Sequence, residues 1–177
     1  TIALAASGCL AATGPTGPVT VEAPATPAAP PVPLPNREGS LKFGVMGDFG
    51  TASREQYQLA EQMARLHARF PFELMLTVGD NIYGSERPQD FVRKFETPYK
   101  PLLDANVKFH ATLGNHDSRQ QSLYEPFNMG GRRYYTFKAA REDVRFFALE
   151  TSYLEPAQIQ WLEKELASSN EAWKIPY

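Results

Sequence analysis

The segment from Val107 to Asp117 reads Val-Lys-Phe-His-Ala-Thr-Leu-Gly-Asn-His-Asp, and the fold predicted for the whole chain depends on it. Its apolar first part predicts a buried strand over Val107 to Leu113. That strand leads into a turn that carries an amide, an imidazole and a carboxylate side by side, at Asn115, His116 and Asp117. Polar groups placed on a loop at the open end of a buried strand are typical of a functional site.

Two earlier segments have the same form. The apolar run Phe43 to Met46 is followed by Gly-Asp-Phe-Gly, which places Asp48 directly after a predicted strand. The apolar run Leu74 to Val78 is followed by Gly-Asp-Asn-Ile-Tyr, which places Asp80 and Tyr83 after another strand. Because ligands bind beyond the carboxyl ends of the strands in an open α/β sheet, we expect all these side chains to meet at one edge of one sheet.

A helix is predicted between the first two strands. Ser53 is a suitable N-cap, and apolar residues then recur at helical spacing as far as Phe70. A strand, a helix and a strand in succession predict that the two strands are parallel. A shorter helix is predicted over Gln89 to Phe95, ended by Pro98 and Pro101.

The remainder of the chain predicts further strands and a helix. Residues 133–139 and 144–149 form two apolar runs around a polar turn, which indicates two strands. Pro156 begins a one-sided helix, and Trp173 to Ile175 resembles the start of another strand. This pattern predicts a mixed α/β (α+β) domain, which we place at residues 39–177.

Composition and charge restrict the class of protein. The chain has 177 residues, of which 42% are hydrophobic and 21% charged, as is usual for soluble globular proteins. The net charge of -2 gives no electrostatic reason to expect a nucleic-acid partner. No uninterrupted apolar run is long enough to form a transmembrane helix. Cys9 is the single cysteine, so an internal disulfide is excluded.

Residues 1–13 resemble the end of a bacterial lipoprotein signal, because an apolar stretch closes on Ala6-Ser7-Gly8-Cys9. We expect Cys9 to be lipidated and to tether the protein to a membrane; the alternative is a disordered, alanine-rich terminus. Residues 14–38 predict an extended disordered linker, since residues 14–36 hold eight of the 15 prolines. This interpretation predicts a location in the bacterial cell envelope, periplasmic or at the surface, or secretion.

The residue types that follow the strands favour a metal site. Asp48 and Asp80 are anionic oxygen ligands, and two carboxylates brought together repel each other unless a cation lies between them. A dinuclear centre with one bridging carboxylate resolves this repulsion, and Asn115 offers a neutral oxygen to the second ion. Tyr83 follows Asp80 closely and binds as a phenolate only to a strongly acidic cation, which indicates Fe(III).

His116 and Asp117 are the predicted catalytic residues. Because His116 follows Asn115 directly, both cannot easily bind one ion. We therefore expect its imidazole to hydrogen-bond the transferring phosphoryl group and to protonate the leaving oxygen. Asp117 would orient or polarise that imidazole. The alternative is that every one of these groups is a structural turn, but such groups in order, each at a strand end, rarely arise by chance.

The order of these groups resembles the calcineurin-like metallophosphoesterase superfamily: Asp48-x-Gly50, then Gly79-Asp80-x-x-Tyr83, then Gly114-Asn115-His116-Asp117. The wider superfamily usually has His two residues after the first Asp. Gly50 stands at that position here, and a Tyr follows the second Asp instead. This paired exchange resembles the purple (tartrate-resistant) acid phosphatase branch. The resemblance covers roughly Leu41 to the end of the chain.

The resemblance implies two β-sheets packed face to face with helices outside. It places Asp48 and Tyr83 on Fe(III), Asp80 as the bridge, and Asn115 on a second ion, which is Fe(II), Zn or Mn. The family takes further His ligands from motifs beyond this point, and none of the three histidines here can supply them. We therefore expect a fragment, incomplete at both ends, that lacks the C-terminal half of the sandwich and is inactive or nearly so by itself.

The predicted function is the hydrolysis of small-molecule phosphate monoesters by direct attack of a metal-bound hydroxide. Two alternatives stay open. One is a phosphodiesterase or nucleotide pyrophosphatase on the same scaffold. The other is an envelope lipoprotein that binds an anion or a partner and performs no chemistry, against which the intact Asp48, Asp80, Asn115 and His116 argue.

Overall fold

A computed structural model describes Arg37 and residues 39–139 and 143–177. The predicted signal segment 1–13 with Cys9, and the predicted linker 14–38 apart from Arg37, lie outside the described residues. Within the ranges that are described, no helix combines the length and the apolar character needed to cross a bilayer.

Three parallel strands form the first sheet, in the order β1-β2-β3. They are β1 (Phe43–Met46), β2 (Leu74–Val78) and β3 (Lys108–Thr112), and helix α1 (Arg54–Arg69) connects the first two. Val45 lies opposite Leu76, and Leu76 lies opposite His110, with parallel pairing throughout. The predicted strand-helix-strand unit is confirmed, and the carboxyl ends of all three strands lie at one edge of the sheet.

Helix α1 begins and ends where the sequence predicts. The hydroxyl of Ser53 accepts a hydrogen bond from the backbone N–H of Gln56 at 3.3 Å, which satisfies one of the free N–H groups of the first turn. The helix ends at Arg69, because Phe70 precedes a proline and such residues disfavour helical geometry. Its buried side contributes Ala60 to the main hydrophobic core.

The second helical segment is longer than predicted. Helix α2 (Pro88–Phe91), a π-helical turn (Val92–Glu96) and helix α3 (Thr97–Asp104) follow one another without a break. The prediction that Pro98 and Pro101 end this segment is therefore wrong. Pro98 has no N–H to donate to the carbonyl of Lys94, but Nε2 of Gln56 donates to that carbonyl at 2.5 Å. A side chain of α1 replaces the missing backbone hydrogen bond, so the helical segment continues.

The second sheet has the order β4-β5-β6. Strand β4 (Tyr135–Lys138) pairs antiparallel with β5 (Val144–Ala148), and β5 pairs parallel with β6 (Trp173–Pro176), which follows helix α4 (Pro156–Ser168). Two short 3-10 helices, Arg119–Leu123 and Glu125–Phe127, precede this sheet. The predicted strands and the helix start at Pro156 are confirmed, with slightly shorter strands than the sequence pattern indicates.

The two sheets pack face to face. The imidazole of His110 in β3 stacks on Phe137 of β4 with ring centroids 3.6 Å apart, and Phe43 of β1 contacts Phe146 of β5 edge-on at 5.4 Å. Leu76 of β2 is buried in the same cluster. Each buried side chain of this size contributes about 1.5–3 kcal/mol, so the interface between the sheets is a main source of stability.

Helices cover the outer faces. The opposite face of the first sheet buries Met75 and Phe109 in one cluster with Phe95 and Tyr99 of the helical segment. On the second sheet, Arg145 of β5 donates to Glu165 of α4 at 2.6 Å. Together these layers confirm the predicted partial β-sandwich flanked by helices.

Candidate metal centre

Backbone hydrogen bonds join the loops that follow β1 and β2. The N–H of Asp48 donates to the backbone oxygen of Gly79 at 3.1 Å, and the N–H of Tyr83 donates to the backbone oxygen of Gly50 at 2.9 Å. These bonds continue the pairing of the two strands beyond the sheet. The loops therefore advance side by side and bring Asp48 next to Asp80.

The loops after β1, β2 and β3 line one cleft with a volume of about 320 Å³. The predicted ligands Asp48, Asp80 and Asn115 contribute to its wall. Thr151 and Ser152, which follow β5 of the second sheet, line it as well. The ends of the three parallel strands therefore meet at one site, as the sequence predicts.

The phenol of Tyr83 lies between the two carboxylates. Its oxygen is 3.0 Å from Oδ1 of Asp48 and 2.9 Å from Oδ2 of Asp80. Burial, followed by these hydrogen bonds, raises the pKa of the phenol well above its ordinary value. A phenolate beside two carboxylates therefore requires a cation among the three oxygens. This set of hard, anionic oxygen donors fits a strongly acidic metal ion.

Asp48 and Asp80 share an uncommon backbone conformation. The φ angle is +54° at Asp48 and +52° at Asp80, in the left-handed region. A residue with a side chain held there costs of order 1–3 kcal/mol, and such strain concentrates at functional sites. Both aspartates follow a glycine at the end of a strand and adopt the same backbone conformation, so the two loops turn in the same way.

Gly50 lies directly against the loop that follows β2. A β-carbon added at Gly50 would overlap the carbonyl oxygen of Asn81 and come within 2.7 Å of the Cα of Ile82. A larger residue at position 50 would therefore displace the loop that delivers Tyr83. The Gly and the Tyr that carry the sequence resemblance are physically linked, because the loop fills the space that a side chain at position 50 needs.

The loop after β3 touches Asp80 through its backbone. A β-carbon at Gly114 would overlap Oδ1 of Asp80, and the N–H of His116 donates to the same oxygen at 3.1 Å. The imidazole of His116 is exposed, with its ring centroid 5.1 Å from that of Tyr83. His116 thus lies beside Asp80 and Tyr83, with its imidazole open to solvent.

The carboxylate of Asp117 holds the β2 and β3 loops together. It accepts hydrogen bonds from the backbone N–H groups of Asn81 at 2.8 Å, of Ile82 at 3.1 Å and of Gly114 at 2.8 Å. The side-chain amides of Asn81 and Gln121 donate to it at 3.0 and 2.8 Å. These donors come from the two loops and from the 3-10 helix Arg119–Leu123, so N–H groups surround the carboxylate.

This placement differs from the role expected for Asp117. In the part of the chain that the structure describes, its carboxylate makes no hydrogen bond to the imidazole of His116. The reason is competition: the backbone N–H groups of the two loops occupy its acceptor positions. In the described structure the carboxylate of Asp117 therefore joins the β2 and β3 loops and is not in direct hydrogen-bond contact with the imidazole.

The donors at the cleft are of mixed type. Within the described ranges, no three His, Cys, Asp or Glu side chains are grouped so that they could hold a metal ion. The oxygen-bearing side chains available there are instead the carboxylates of Asp48 and Asp80, the phenol of Tyr83 and the amide of Asn115. One oxygen of Asp80 faces Tyr83 and its other oxygen faces the β3 loop, so this carboxylate is directed to two sides.

Sequence reasoning missed the part of the cleft that comes from the second sheet. The side chain of Gln158 in α4 holds the backbone of Glu150 with hydrogen bonds of 2.8 and 2.9 Å, which fixes the start of the Thr151–Ser152 loop. A Glu-Thr-Ser run directly after an apolar strand was an available signal. The sequence does not show, however, that the end of β5 lies at the same edge as the first sheet.

The family model described as calcineurin-like phosphoesterase matches residues 41–175. Purple acid phosphatase 17 of Arabidopsis thaliana is 33% identical over 88 residues, 46% of this chain and 25% of that protein. Purple acid phosphatase 4 of the same plant is 36% identical over 94 residues, 48% of this chain and 26% of that protein. The matched stretch therefore spans about a quarter of these curated relatives.

Among solved structures, the chain is similar to the crystal structure of a dimetal phosphatase from Danio rerio, LOC 393393. The TM-score is 0.48 at 20% sequence identity, and the match covers 71% of this chain and 51% of that chain. The matched part thus corresponds to about half of that structure.

Proposed function

Because this chain belongs to the calcineurin-like phosphoesterase family, we propose that it carries the first ligands of a dinuclear metal centre that hydrolyses phosphate monoesters. The observation that carries the proposal is the placement of Asp80. Its Oδ2 lies 2.9 Å from the phenol of Tyr83, and its Oδ1 accepts the N–H of His116 from the β3 loop at 3.1 Å. A carboxylate whose two oxygens face two sides suits a bridge between two ions.

The donor types support iron at one position and a divalent ion at the other. Asp48 and Tyr83 would hold Fe(III), since a phenolate needs a strongly acidic cation. Asn115 would hold Fe(II), Zn or Mn through its neutral oxygen, and Asp80 would contact both ions. When bound, the pair of ions supplies a nucleophile at neutral pH by acidifying a water molecule and neutralises charge on the phosphoryl group.

His116 is the group that would handle the leaving oxygen. Its imidazole is exposed beside Tyr83, while its backbone is anchored to Asp80. An imidazole in this position can donate a hydrogen bond to a phosphoryl oxygen and transfer a proton to the leaving group. Asp117 contributes by holding the loop that bears His116, not by contacting the ring.

The four donors do not complete the coordination of two ions. Structural and catalytic metal ions of this kind take about four or more ligands each, a bound water included. His67 contacts the carbonyl of Phe72, and His110 is stacked between the sheets, so neither can turn to the cleft. We propose that further ligands come from residues outside the described part of the chain, and that the 177 residues alone turn over substrate slowly or not at all.

The test compares a protein extended beyond Tyr177 with the 177-residue chain, both supplied with iron and zinc. We expect the extended protein to bind two metal ions and to hydrolyse an aryl phosphate, and the shorter chain to do so poorly. The extended protein should also show a visible absorption band from phenolate-to-Fe(III) charge transfer, and Tyr83→Phe should remove this band. Tyr134→Phe is the matched control, because the ring of Tyr134 packs on Trp161 away from the cleft.

An extended protein that binds no metal would contradict the proposal, and equal turnover by both chains would contradict the need for further ligands. Rates on matched mono- and diesters separate a monoesterase from the phosphodiesterase or pyrophosphatase alternative. Retention of metal without turnover on any phosphoester would support the non-catalytic alternative.

We also propose the envelope location and the membrane tether through Cys9, which lies outside the described residues. The composition of residues 1–38 supports both. Mass spectrometry of the protein from bacterial membranes should find lipid on Cys9, and Cys9→Ser should release the protein. An unmodified Cys9 in the membrane fraction would contradict the tether.

A further inference from the structure

Lys94 is a buried lysine whose ammonium group lies under the loop that carries Tyr83. Only 4% of the residue is exposed. Since a lysine is almost never fully buried without partners, its ammonium group is expected to have some. Its Nζ donates to the backbone oxygen of Tyr83 at 2.7 Å and to that of Ser85 at 2.6 Å. The loop therefore folds around the ammonium group and directs two carbonyl oxygens at it.

Asp90 holds the same loop at its other end. This carboxylate is 1% exposed and accepts hydrogen bonds from the hydroxyl of Ser85 at 2.6 Å and from the backbone N–H of Arg87 at 3.2 Å. The guanidinium groups of Arg87 and Arg93 donate to it at 3.0 Å. The hydrogen bond from the Arg87 side chain is the main reason that the pKa of Asp90 lies well below its usual range.

The two buried charges are close enough to support each other. Oδ1 of Asp90 is 3.9 Å from Nζ of Lys94. Burial lowers the pKa of Lys94, and the nearby carboxylate opposes this effect. Removal of Asp90 would leave the buried ammonium group of Lys94 without the carboxylate it pairs with, which is costly. Asp90 itself would keep the guanidinium groups of Arg87 and Arg93 if Lys94 were removed.

Lys94 lies in the π-helical turn Val92–Glu96. A π turn adds one residue to a helical turn, is rare, and occurs frequently at functional sites. Lys94 lies in the middle of the turn, and its backbone oxygen accepts from Nε2 of Gln56 at 2.5 Å. Its backbone is thus fixed by α1 while its side chain extends under the loop after β2.

The backbone of Tyr83 is consequently held on both sides. Its N–H donates to Gly50 at 2.9 Å and its carbonyl accepts from Lys94 at 2.7 Å. We propose that Lys94 is a positioning residue that fixes this loop in the conformation that delivers the phenol of Tyr83 to the metal site. This inference rests on the proposed function for its purpose, but the loop contact itself can be measured without metal.

The test uses the extended protein and the variant Lys94→Met, which keeps the apolar stem and removes the donors. Lys100→Met is the matched control, because Lys100 is an exposed helical lysine paired with Asp104. In the metal-free state we expect amide hydrogen exchange over residues 79–87 to become about tenfold faster in Lys94→Met only. In the iron-loaded state we expect a shifted or weakened charge-transfer band and about tenfold weaker iron binding.

Lys94→Gln, which is shorter and neutral but still a donor, should give an intermediate effect in both measurements. Lys94→Gln also serves as the test variant if Lys94→Met does not fold. In that case, a hydrogen-exchange rate and a charge-transfer band equal to those of the wild type in Lys94→Gln would overturn the inference. If Lys94→Met folds and leaves the exchange rate, the band and the iron affinity unchanged, the inference is wrong even though the protein binds metal. If the wild type binds no metal while the loop loosens in Lys94→Met, the proposed function fails and the positioning contact stands.

Discussion

The backbone oxygen of Gly50 accepts a hydrogen bond from the N–H of Tyr83 at 2.9 Å, and the contact leaves no room for a β-carbon on Gly50. The loop that carries Asp48 and the loop that carries Tyr83 are therefore in direct backbone contact. The proposed ligand set depends on this close approach as well as on the side chains that would bind the ions.

Replacement of Gly50 by Ala should therefore damage both the fold and the metal site. A β-carbon there overlaps the carbonyl of Asn81, so we expect the free energy of unfolding to fall by about 2 kcal/mol or more, as for other overpacked positions. The metal content of the Gly50→Ala protein should fall as well, and Gly50→His should be no better than Gly50→Ala in stability or in metal content. The measurements are urea denaturation and metal analysis of the purified variants.

Gly130→Ala is the control for this prediction, because Gly130 has a φ of +60° but open space around its α-carbon. It should cost only the conformational term of about 1–2 kcal/mol and leave metal content unchanged. A Gly50→Ala protein as stable and as rich in metal as the wild type would contradict the linkage between Gly50 and Tyr83.

Asp117→Asn should loosen the two loops that Asp117 joins. The new amide turns an N–H group toward backbone donors, so we expect a loss of about 2–3 kcal/mol in unfolding free energy and weaker metal binding. Asp104→Asn is the control, since Asp104 is an exposed helical residue paired with Lys100. If stability were unchanged and only the acid–base profile of turnover moved, Asp117 would act on His116 after all.

His110 should make the protein less stable below neutral pH. Burial, assisted by Lys108, lowers the pKa of His110 to about 4. The unfolded chain takes up this proton below about pH 6.5, whereas the folded protein stays neutral until about pH 4. The unfolded state thus binds more protons in this window, and the free energy of unfolding falls as the pH drops through it.

We expect this imidazole to account for on the order of 2 kcal/mol between pH 7 and pH 4.5. His110→Phe keeps the stacking on Phe137 and removes the titration, so urea midpoints of the metal-free variant should depend less on pH. His116→Gln is the control for the loss of an exposed imidazole. Urea midpoints that depend on pH equally in the wild type and in His110→Phe would show that His110 does not cause the loss of stability at low pH.

Gln56→Leu should destabilise the helical segment that passes through Pro98. The Gln56 side chain donates to the carbonyl of Lys94 at 2.5 Å and accepts from the N–H of Ala52 at 2.7 Å, so its loss should cost about 2–3 kcal/mol. Gln62→Leu, at an exposed position of the same helix, should cost little. In the Gln56→Leu background, Pro98→Ala should recover part of the stability, because it restores a backbone donor. If Pro98→Ala recovers no stability, then the missing hydrogen bond to the carbonyl of Lys94 is not what destabilises Gln56→Leu.

The sequence was sufficient to predict those parts of the site that follow from the regular geometry of strands and helices. Parallel strands with a connecting helix must end at the same edge, so Asp48, Asp80 and Asn115 could be brought together from the alternation of strands and helices alone. The stacking of His110 inside the sandwich also agrees with its place within an apolar strand.

The sequence was insufficient wherever a distant side chain alters a local rule. A proline normally ends a helix, but at Pro98 the side chain of Gln56, 38 residues from Lys94 in sequence, donates to the carbonyl that Pro98 cannot serve. Asp117 is adjacent to His116 in sequence, yet the N–H groups of Asn81 and Gly114 attract its carboxylate away from the ring. Thr151 and Ser152 were missed because their position depends on how one sheet lies on the other.

The left-handed backbone at positions 48 and 80 favours glycine for thermal stability, whereas the proposed metal site needs a carboxylate at both positions. Glycine adopts this conformation at no steric cost, so a laboratory selection for thermal survival alone should favour glycine at both positions and so remove the carboxylates. Libraries screened with iron and zinc present throughout should keep them, because binding then stabilises only the folded chains that retain the ligands. The variants that survive the two selections should therefore differ from each other mainly at positions 48 and 80.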